Sequence, residues 1–325
     1  MELFVKQELV KLLPQLDAIL LDIDGVVLDV SGSFRVVASE VTQWYALNIL
    51  KMSDGGAFFT SAETELFKNA GGFNNDFDLA NAAVALLCAK HAEHPEMDTS
   101  QLRDTAPDWV EYSNAIKQRG GGIVNAETVI LNKLGTSERR DFALTWNPKM
   151  VTQLFQEMYA GQENCRRIYG FTPEHIEGEG FLEKEPVLLD AQFLPAKTKI
   201  GVLTGRTKRE TQIALERSGL RDRVLDSHLV TDDDNVRKPD GRALALLQER
   251  MKFRNAIYVG DTFDDLKAVQ NFRETNASGK ARIWSCQVLS GPSGSANKNA
   301  FLEAGAEIVA PDLNSVLQFL GGVLK

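Results

Sequence analysis

From residue 198 onward, short continuous apolar runs alternate with stretches whose apolar residues recur at helical spacing. Lys199–Leu203, Leu225–Val230, Ala256–Val259, Ala281–Val288 and Ile308–Ala310 read as strands. Lys208–Ser218 (closed by Gly219), Arg242–Met251, Phe263–Phe272 and Asn314–Leu324 read as helices. Strand and helix in strict alternation predict a mostly parallel sheet covered by helices on both faces. Near the start, Ala18-Ile-Leu-Leu-Asp22 is a further buried strand, stopping at an acid and a Gly25 turn. Before it, Leu3, Leu9, Leu12, Leu13 and Leu16 predict a leading helix.

Between Ser31 and Pro195 the strand pattern disappears. Helical periodicity takes its place over Val37–Leu50, Leu79–Lys90, Ala126–Leu134 and Pro148–Met158, punctuated by Gly-rich turns. The expected fold class is therefore α/β, a doubly wound, mostly parallel Rossmann-like sheet with an inserted, mainly α-helical cap. Residues 1–30 supply the first part of the core with the Asp22 strand, 31–195 the cap, and 196–325 the second part of the core. Two units suit the length of 325 residues, which exceeds the roughly 250–300 at which single cores stop growing.

Composition narrows the function classes. A formal net charge of -9 and no clustered basic stripe argue against nucleic acid as a partner. The acidic excess lies wholly in 31–195, which holds 14 Lys/Arg against 23 Asp/Glu, while the remainder balances 22 against 22. No run approaches the roughly 18 apolar residues of a spanning helix, and the first residues lack the pattern of a secretory signal. No membrane is expected as a partner, and the expected location is cytoplasmic. Cys88, Cys165 and Cys286 are odd in number and widely spaced, which predicts inert core thiols.

Candidate chemistry sits where the strands end. Asp-x-Asp occurs three times, as Asp22-Ile-Asp24, Asp76-Phe-Asp78 and Asp232-Asp-Asp234. Only Asp22 follows a buried strand and precedes a Gly turn, which places it at the carboxyl edge where doubly wound folds bind ligands. Thr204 and Gly205 end a second strand just before a helix, where a hydroxyl and free amides can receive an anion. Lys238 adds a positive charge. Gly260-Asp261-Thr-Phe-Asp264-Asp265 ends a third strand, and Asp261 with Asp265 could offer the oxygens that magnesium prefers. Asp264 reads equally well as a helix-start acid.

Asp22-Ile-Asp24-Gly-Val, Thr204, Lys238 and the run from Gly260 to Asp265, in that order, resemble the haloacid dehalogenase superfamily. An insertion directly after the first motif is similar to its helical-cap subgroup. Within that subgroup, Val30-Ser-Gly-Ser-Phe-Arg35 and Gly71-Gly-Phe-Asn-Asn-Asp76 resemble a set of predicted phosphatases.

The resemblance implies a magnesium-dependent hydrolase of a small-molecule phosphate monoester, with Asp22 as nucleophile and Asp24 as general acid and base. Thr204, Gly205 and Lys238 would hold the phosphoryl oxygens. Mg2+ would be bound by Asp22, the Asp24 carbonyl and Asp261, with Asp265 direct or through water. An acid at position 24 disfavours carbon–halogen and carbon–phosphorus cleavage. A phosphomutase and a non-catalytic binding protein of the same fold remain the alternatives. In the cap, Arg35 at its entry, and Asn74, Asn75 and Asp76, polar side chains that follow two glycines, are the expected specificity residues. The sequence names neither the ester nor the oligomeric state.

Overall fold

The computed structural model describes residues 3–73, 76–275, 279, 281–291 and 294–324. The chain divides into two compact units, one made of Met1–Ser31 with Glu185–Lys325 and the other of Gly32–Lys184.

The first unit contains a seven-stranded sheet. Its strands are β1 (Phe4–Val5), β2 (Ala18–Leu21), β3 (Lys199–Leu203), β4 (Leu229–Val230), β5 (Asn255–Gly260), β6 (Arg282–Val288) and β7 (Ile308–Ala310). They lie in the order β1-β7-β6-β5-β2-β3-β4, all parallel except β1 against β7. Period-two alternation of side chains explains why the central strands are apolar throughout. Ile19, Leu21, Ile257 and Val259 enter one apolar cluster, and Ala18, Leu20, Ala256 and Tyr258 enter the other. A strand buried on both faces has no place for a polar residue until it ends.

That end is shared. Leu21 of β2 is in register with Val202 of β3 and with Val259 of β5. The residues after these strands, Asp22, Thr204 and Asp261, therefore emerge along one edge, with β2 between its two neighbours.

Two expectations are corrected. No single helix covers residues 1–16: the described part is β1, a short helix Gln7–Val10 and a 3-10 turn Leu13–Gln15. Pro14 sits in that turn and cannot donate an amide to a longer helix. The strand expected over Leu225–Val230 shrinks to β4, since Leu225 is exposed and Asp226–His228 forms a 3-10 turn.

The second unit, Gly32–Lys184, is helical. Its longest uninterrupted helix, Asp76–Glu93, is buried at every residue from Leu79 to Lys90. It packs against the helices Phe34–Asn48, Ile123–Lys133, Thr136–Thr145 and Pro148–Tyr169. The helices expected from Val37, Leu79 and Ala126 each begin three residues earlier, and Pro148–Tyr169 runs past Met158, interrupted at Gly161 by a positive φ of 67°. The 185–195 stretch, read from the sequence as cap, belongs instead with the sheet-bearing unit, because Leu189 and Leu194 pack into its core. The three cysteines are free and buried. Among the described residues, no helix is long and apolar enough to cross a membrane.

Candidate active site

Asp22 leaves the sheet with its amide still bonded to Val259 O at 2.9 Å, and its Oδ1 accepts from the Ile23 amide at 2.8 Å. Its side chain is nearly fully buried. Behind it, the Gly25 amide donates to Leu28 O at 2.8 Å in a tight turn, with Gly25 at φ +72°. A Cβ there would lie 2.4 Å from Asp261 Oδ2, so only glycine lets the two loops meet.

Three carboxylates converge. Asp22, Asp261 and Asp265 are all buried, and each offers an oxygen within 4.8 Å of the others. Lys238 Nζ lies 2.7 Å from Asp22 Oδ2 and 2.7 Å from Asp265 Oδ1. Asp265 Oδ1 also accepts from Tyr258 OH at 2.7 Å, and its Oδ2 accepts from the Thr262 amide at 3.0 Å and hydroxyl at 2.5 Å. Burial alone would raise the Asp265 carboxyl, but Lys238 and these donors outweigh it and hold its pKa below the ordinary value. The Lys238 ammonium is pushed up, since the two carboxylates overcome its own desolvation.

Asp22 and Asp261 are the two acids of the cluster whose carboxyls are pushed up. Burial first, then repulsion from Asp265 and Asp24, raises Asp22 to about 7 despite Lys238. Burial, then Asp22 and Asp265, raises Asp261 to about 8. The Asp261 carboxylate accepts no hydrogen bond from any described residue. Two buried acids facing each other with an oxygen-only donor set suit a hard divalent cation. Asp264 is exposed and outside this group, so Asp265 is the acid of the helix start that joins it.

On the other side of β2, Thr204 is buried and its amide bonds Val230 O at 3.0 Å. The helix Lys208–Arg217 follows, but its first amides are partly engaged: Lys208 N donates to Asp233 Oδ2 at 2.8 Å and Glu210 N to Thr207 Oγ1 at 3.4 Å. What remains open to an anion is Gly205. Its amide has no partner among the described residues, and a Cβ there would meet nothing within 4 Å.

Several participants carried no signal in the sequence. Arg206 is almost wholly buried, and its Nε and Nη2 both lie 2.7 Å from Asp24 Oδ1. Its Nη2 also lies 2.9 Å from Oε2 of buried Glu185. Tyr258 and Thr262 saturate Asp265. Ser290 and Gly291, in a segment that reads from the sequence as a surface loop, also reach the site. Ser290 Oγ donates to Gly25 O at 2.7 Å, and a Cβ on Gly291 would fall 1.8 Å from Asp261 Oδ2.

The expected cap residues behave differently. Arg35 pairs with Glu65 at 2.9 Å, and Asp76 pairs with Lys68 at 2.8 Å. Asn74 and Asn75 lie outside the described residues. Gly71 and Gly72 lie against Gly121 and Gly122: Gly122 N donates to Gly71 O at 3.0 Å, and a Cβ on Gly121 would be 2.2 Å from that oxygen. The paired glycines thus permit a backbone crossing inside the helical unit. That unit has a cavity of about 670 Å³, bordered by Asp78, Glu127, Trp146, Lys149, Phe171 and Glu174, and neither Arg35 nor Asp76 is among its described lining residues.

Comparison with known proteins bears on the fold and the family. No curated protein matches the chain. An X-ray structure of a Northeast Structural Genomics Consortium target is similar at TM-score 0.69 and 16% identity, covering 95% of this chain and 99% of the other. Phosphatase Tt82 from Thermococcus thioreducens is similar at TM-score 0.58 and 20% identity, covering 94% and 98%. At such identities the likeness is one of fold. The model of the haloacid dehalogenase-like hydrolase family matches residues 16–273, a span that begins just before β2 and ends beyond Asp265. The chain belongs to the haloacid dehalogenase-like hydrolases.

Proposed function

We propose that the protein is a magnesium-dependent phosphatase that cleaves a small-molecule phosphate monoester through an aspartyl-phosphate on Asp22. The observation that carries this reading is the buried cluster of Asp22, Asp261 and Asp265 bridged by the Lys238 ammonium at 2.7 Å. A cluster of this kind is costly to the fold unless it serves chemistry.

In this reading the phosphoryl group enters beside Thr204, Gly205 and Lys238. These residues hold its oxygens, since phosphoryl transfer depends chiefly on positioning and charge stabilisation. An Asp22 carboxylate oxygen attacks phosphorus and the ester P–O bond breaks. Asp24 gives its proton to the departing alkoxide. Asp24 then takes a proton from water as the water oxygen attacks phosphorus, and Asp22 leaves as a carboxylate. Asp22, Asp261 and the Asp24 carbonyl would hold Mg2+, with Asp265 acting through water, because both its oxygens already accept two hydrogen bonds. When bound, the ion offsets repulsion between the anionic nucleophile and the anionic ester.

The test is release of inorganic phosphate from a panel of small esters, sugar phosphates and amino-alcohol phosphates included, with magnesium and with chelator. Turnover that requires magnesium and vanishes in Asp22→Asn supports the reading. Turnover by Asp22→Asn near the wild-type rate would refute the nucleophile.

A further inference from the structure

We infer that Arg206 and Glu185 are positioning residues for the acid and base at Asp24, an inference that rests on the reaction proposed above. Asp24 is the least enclosed of the site's acids, with its side chain 32% exposed. It follows the strand in a turn, so nothing in the sheet ladder fixes its rotamer. The guanidinium of Arg206 does: Nε and Nη2 both reach Asp24 Oδ1 at 2.7 Å. A guanidinium only donates. Oδ1 is therefore occupied as an acceptor, and the proton exchanged with the leaving group and with water must travel on Oδ2, which accepts no hydrogen bond from any described residue.

Arg206 is itself held. Its side chain is 1% exposed, and Nη2 lies 2.9 Å from Oε2 of Glu185, whose side chain is 0% exposed. Glu185 is the first residue of the sheet-bearing unit after the helical excursion. Its backbone carbonyl accepts from Arg217 Nη2 at 2.5 Å, and Arg217 Nη1 lies 3.8 Å from the same carboxylate oxygen. The adjoining residues are tied to the turn that carries Asp24: Asp29 N donates to Pro186 O and Leu188 N to Val27 O, each at 2.9 Å. The point where the chain re-enters the unit is thus fixed to the acid through one guanidinium. Among the described residues, the cations Arg206 and Arg217 face the anions Asp24 and Glu185, the kind of pairing that buried charge requires. Asp22 and Lys238 make no use of this arrangement, so its effect should fall on proton transfer and spare phosphoryl binding.

The experiment compares Arg206→Gln, Arg206→Lys and Glu185→Gln with wild type, at saturating magnesium, on p-nitrophenyl phosphate and on an alkyl phosphate. Nitrophenolate leaves without a proton, whereas an alkoxide does not. A general acid typically contributes roughly 100-fold or more. Arg206→Gln should therefore lower the rate of phosphoenzyme formation about tenfold or more for the alkyl ester and by less than about threefold for the nitrophenyl ester. With nitrophenyl phosphate the labelled phosphoenzyme should accumulate, because its hydrolysis still needs the base. Arg206→Lys should recover part of the loss; KM should change little on the alkyl ester and fall on nitrophenyl phosphate as the phosphoenzyme accumulates. Glu185→Gln should show the same selectivity to a smaller degree. Equal losses on both esters without accumulation would mean a merely structural role and overturn the inference. So would an unchanged ratio in both Arg206→Lys and Glu185→Gln, which keeps the test decisive should Arg206→Gln not fold. If wild type forms no phosphoenzyme at all, the reaction itself has been misread, a separate outcome seen before any variant is made.

Discussion

Replacing Lys238 by Met keeps most of the side chain's bulk and removes one charge from between two buried carboxylates. Each 2.7 Å contact is worth about 6 kcal/mol of Coulomb attraction at an effective dielectric near 20. Much of that is offset by the cost of desolvating the ammonium. Removing one partner of a buried pair typically costs about 3–5 kcal/mol, because the remaining charge is stranded. Asp265 keeps its three other donors, Tyr258 OH and the Thr262 amide and hydroxyl. Asp22 keeps only the Ile23 amide and, already raised to about 7, escapes by taking a proton. The lower end, about 3 kcal/mol, is therefore expected at pH 7 in chelator. For a unit of this size that lowers Tm by roughly 6–12 °C. Calorimetry should show it, with hydrogen exchange of peptides from β2 and β5 reporting on the sheet-bearing unit alone. Magnesium should restore part of the loss, while hydrolysis stays depressed about 100-fold or more for want of a charge on the transferring group. A Tm fall below about 2 °C would refute the reasoning, since Lys238 would then not be the counter-charge that holds the cluster together.

Further outcomes follow from the same cluster. Gly291→Ala forces a Cβ to 1.8 Å from Asp261 Oδ2 and should cost about 1–3 kcal/mol of stability and weaken magnesium dependence; unchanged values for both would contradict the packing. Asp261→Ala should shift the magnesium requirement of turnover far more than Asp264→Ala, because Asp264 is exposed outside the cluster, and equal shifts would contradict the assignment. Asp22 and Asp261 keep protons in the folded chain to about 7 and about 8, but release them near 3.8 when unfolded. The stability that these two groups contribute to the metal-free chain is therefore lost as pH rises from about 4 to about 8. The stabilisation given by magnesium should accordingly be larger at pH 8.5 than at pH 5.5, and Asp261→Asn should flatten the difference; a pH-independent shift would count against it.

The sheet was legible because its central strands are buried on both faces and so appear as unbroken apolar runs, each halted by the first polar residue of the site. Asp22 and Asp261 stand out for that reason. Arg206 and Glu185 do not, because an arginine after a turn and a glutamate in Leu182-Glu-Lys-Glu185 are ordinary surface residues by composition. Their burial arises only when segments far apart in sequence meet. Ser290 and Gly291 were hidden similarly, since a Ser/Gly-rich stretch looks the same whether it is free or pressed against a carboxylate. Gly71-Gly72 take part in a close backbone approach whose partner, Gly121-Gly122, lies fifty residues away and is not legible from the pair itself. The leading helix failed because leucine spacing outweighed Pro14 in the reading, whereas in the chain the missing amide decides.

The central claim is that Asp22 carries the phosphoryl group, and trapping that bond tests it most directly. The protein is mixed with a phosphate ester that it turns over and magnesium, quenched in acid within the first turnovers, and digested for peptide mass spectrometry. The account predicts one added phosphoryl group on the peptide spanning Asp22, sensitive to hydroxylamine as an acyl-phosphate must be, and absent from Asp22→Asn. A phosphoryl group on another residue, or steady hydrolysis by Asp22→Asn at the wild-type rate, would contradict it.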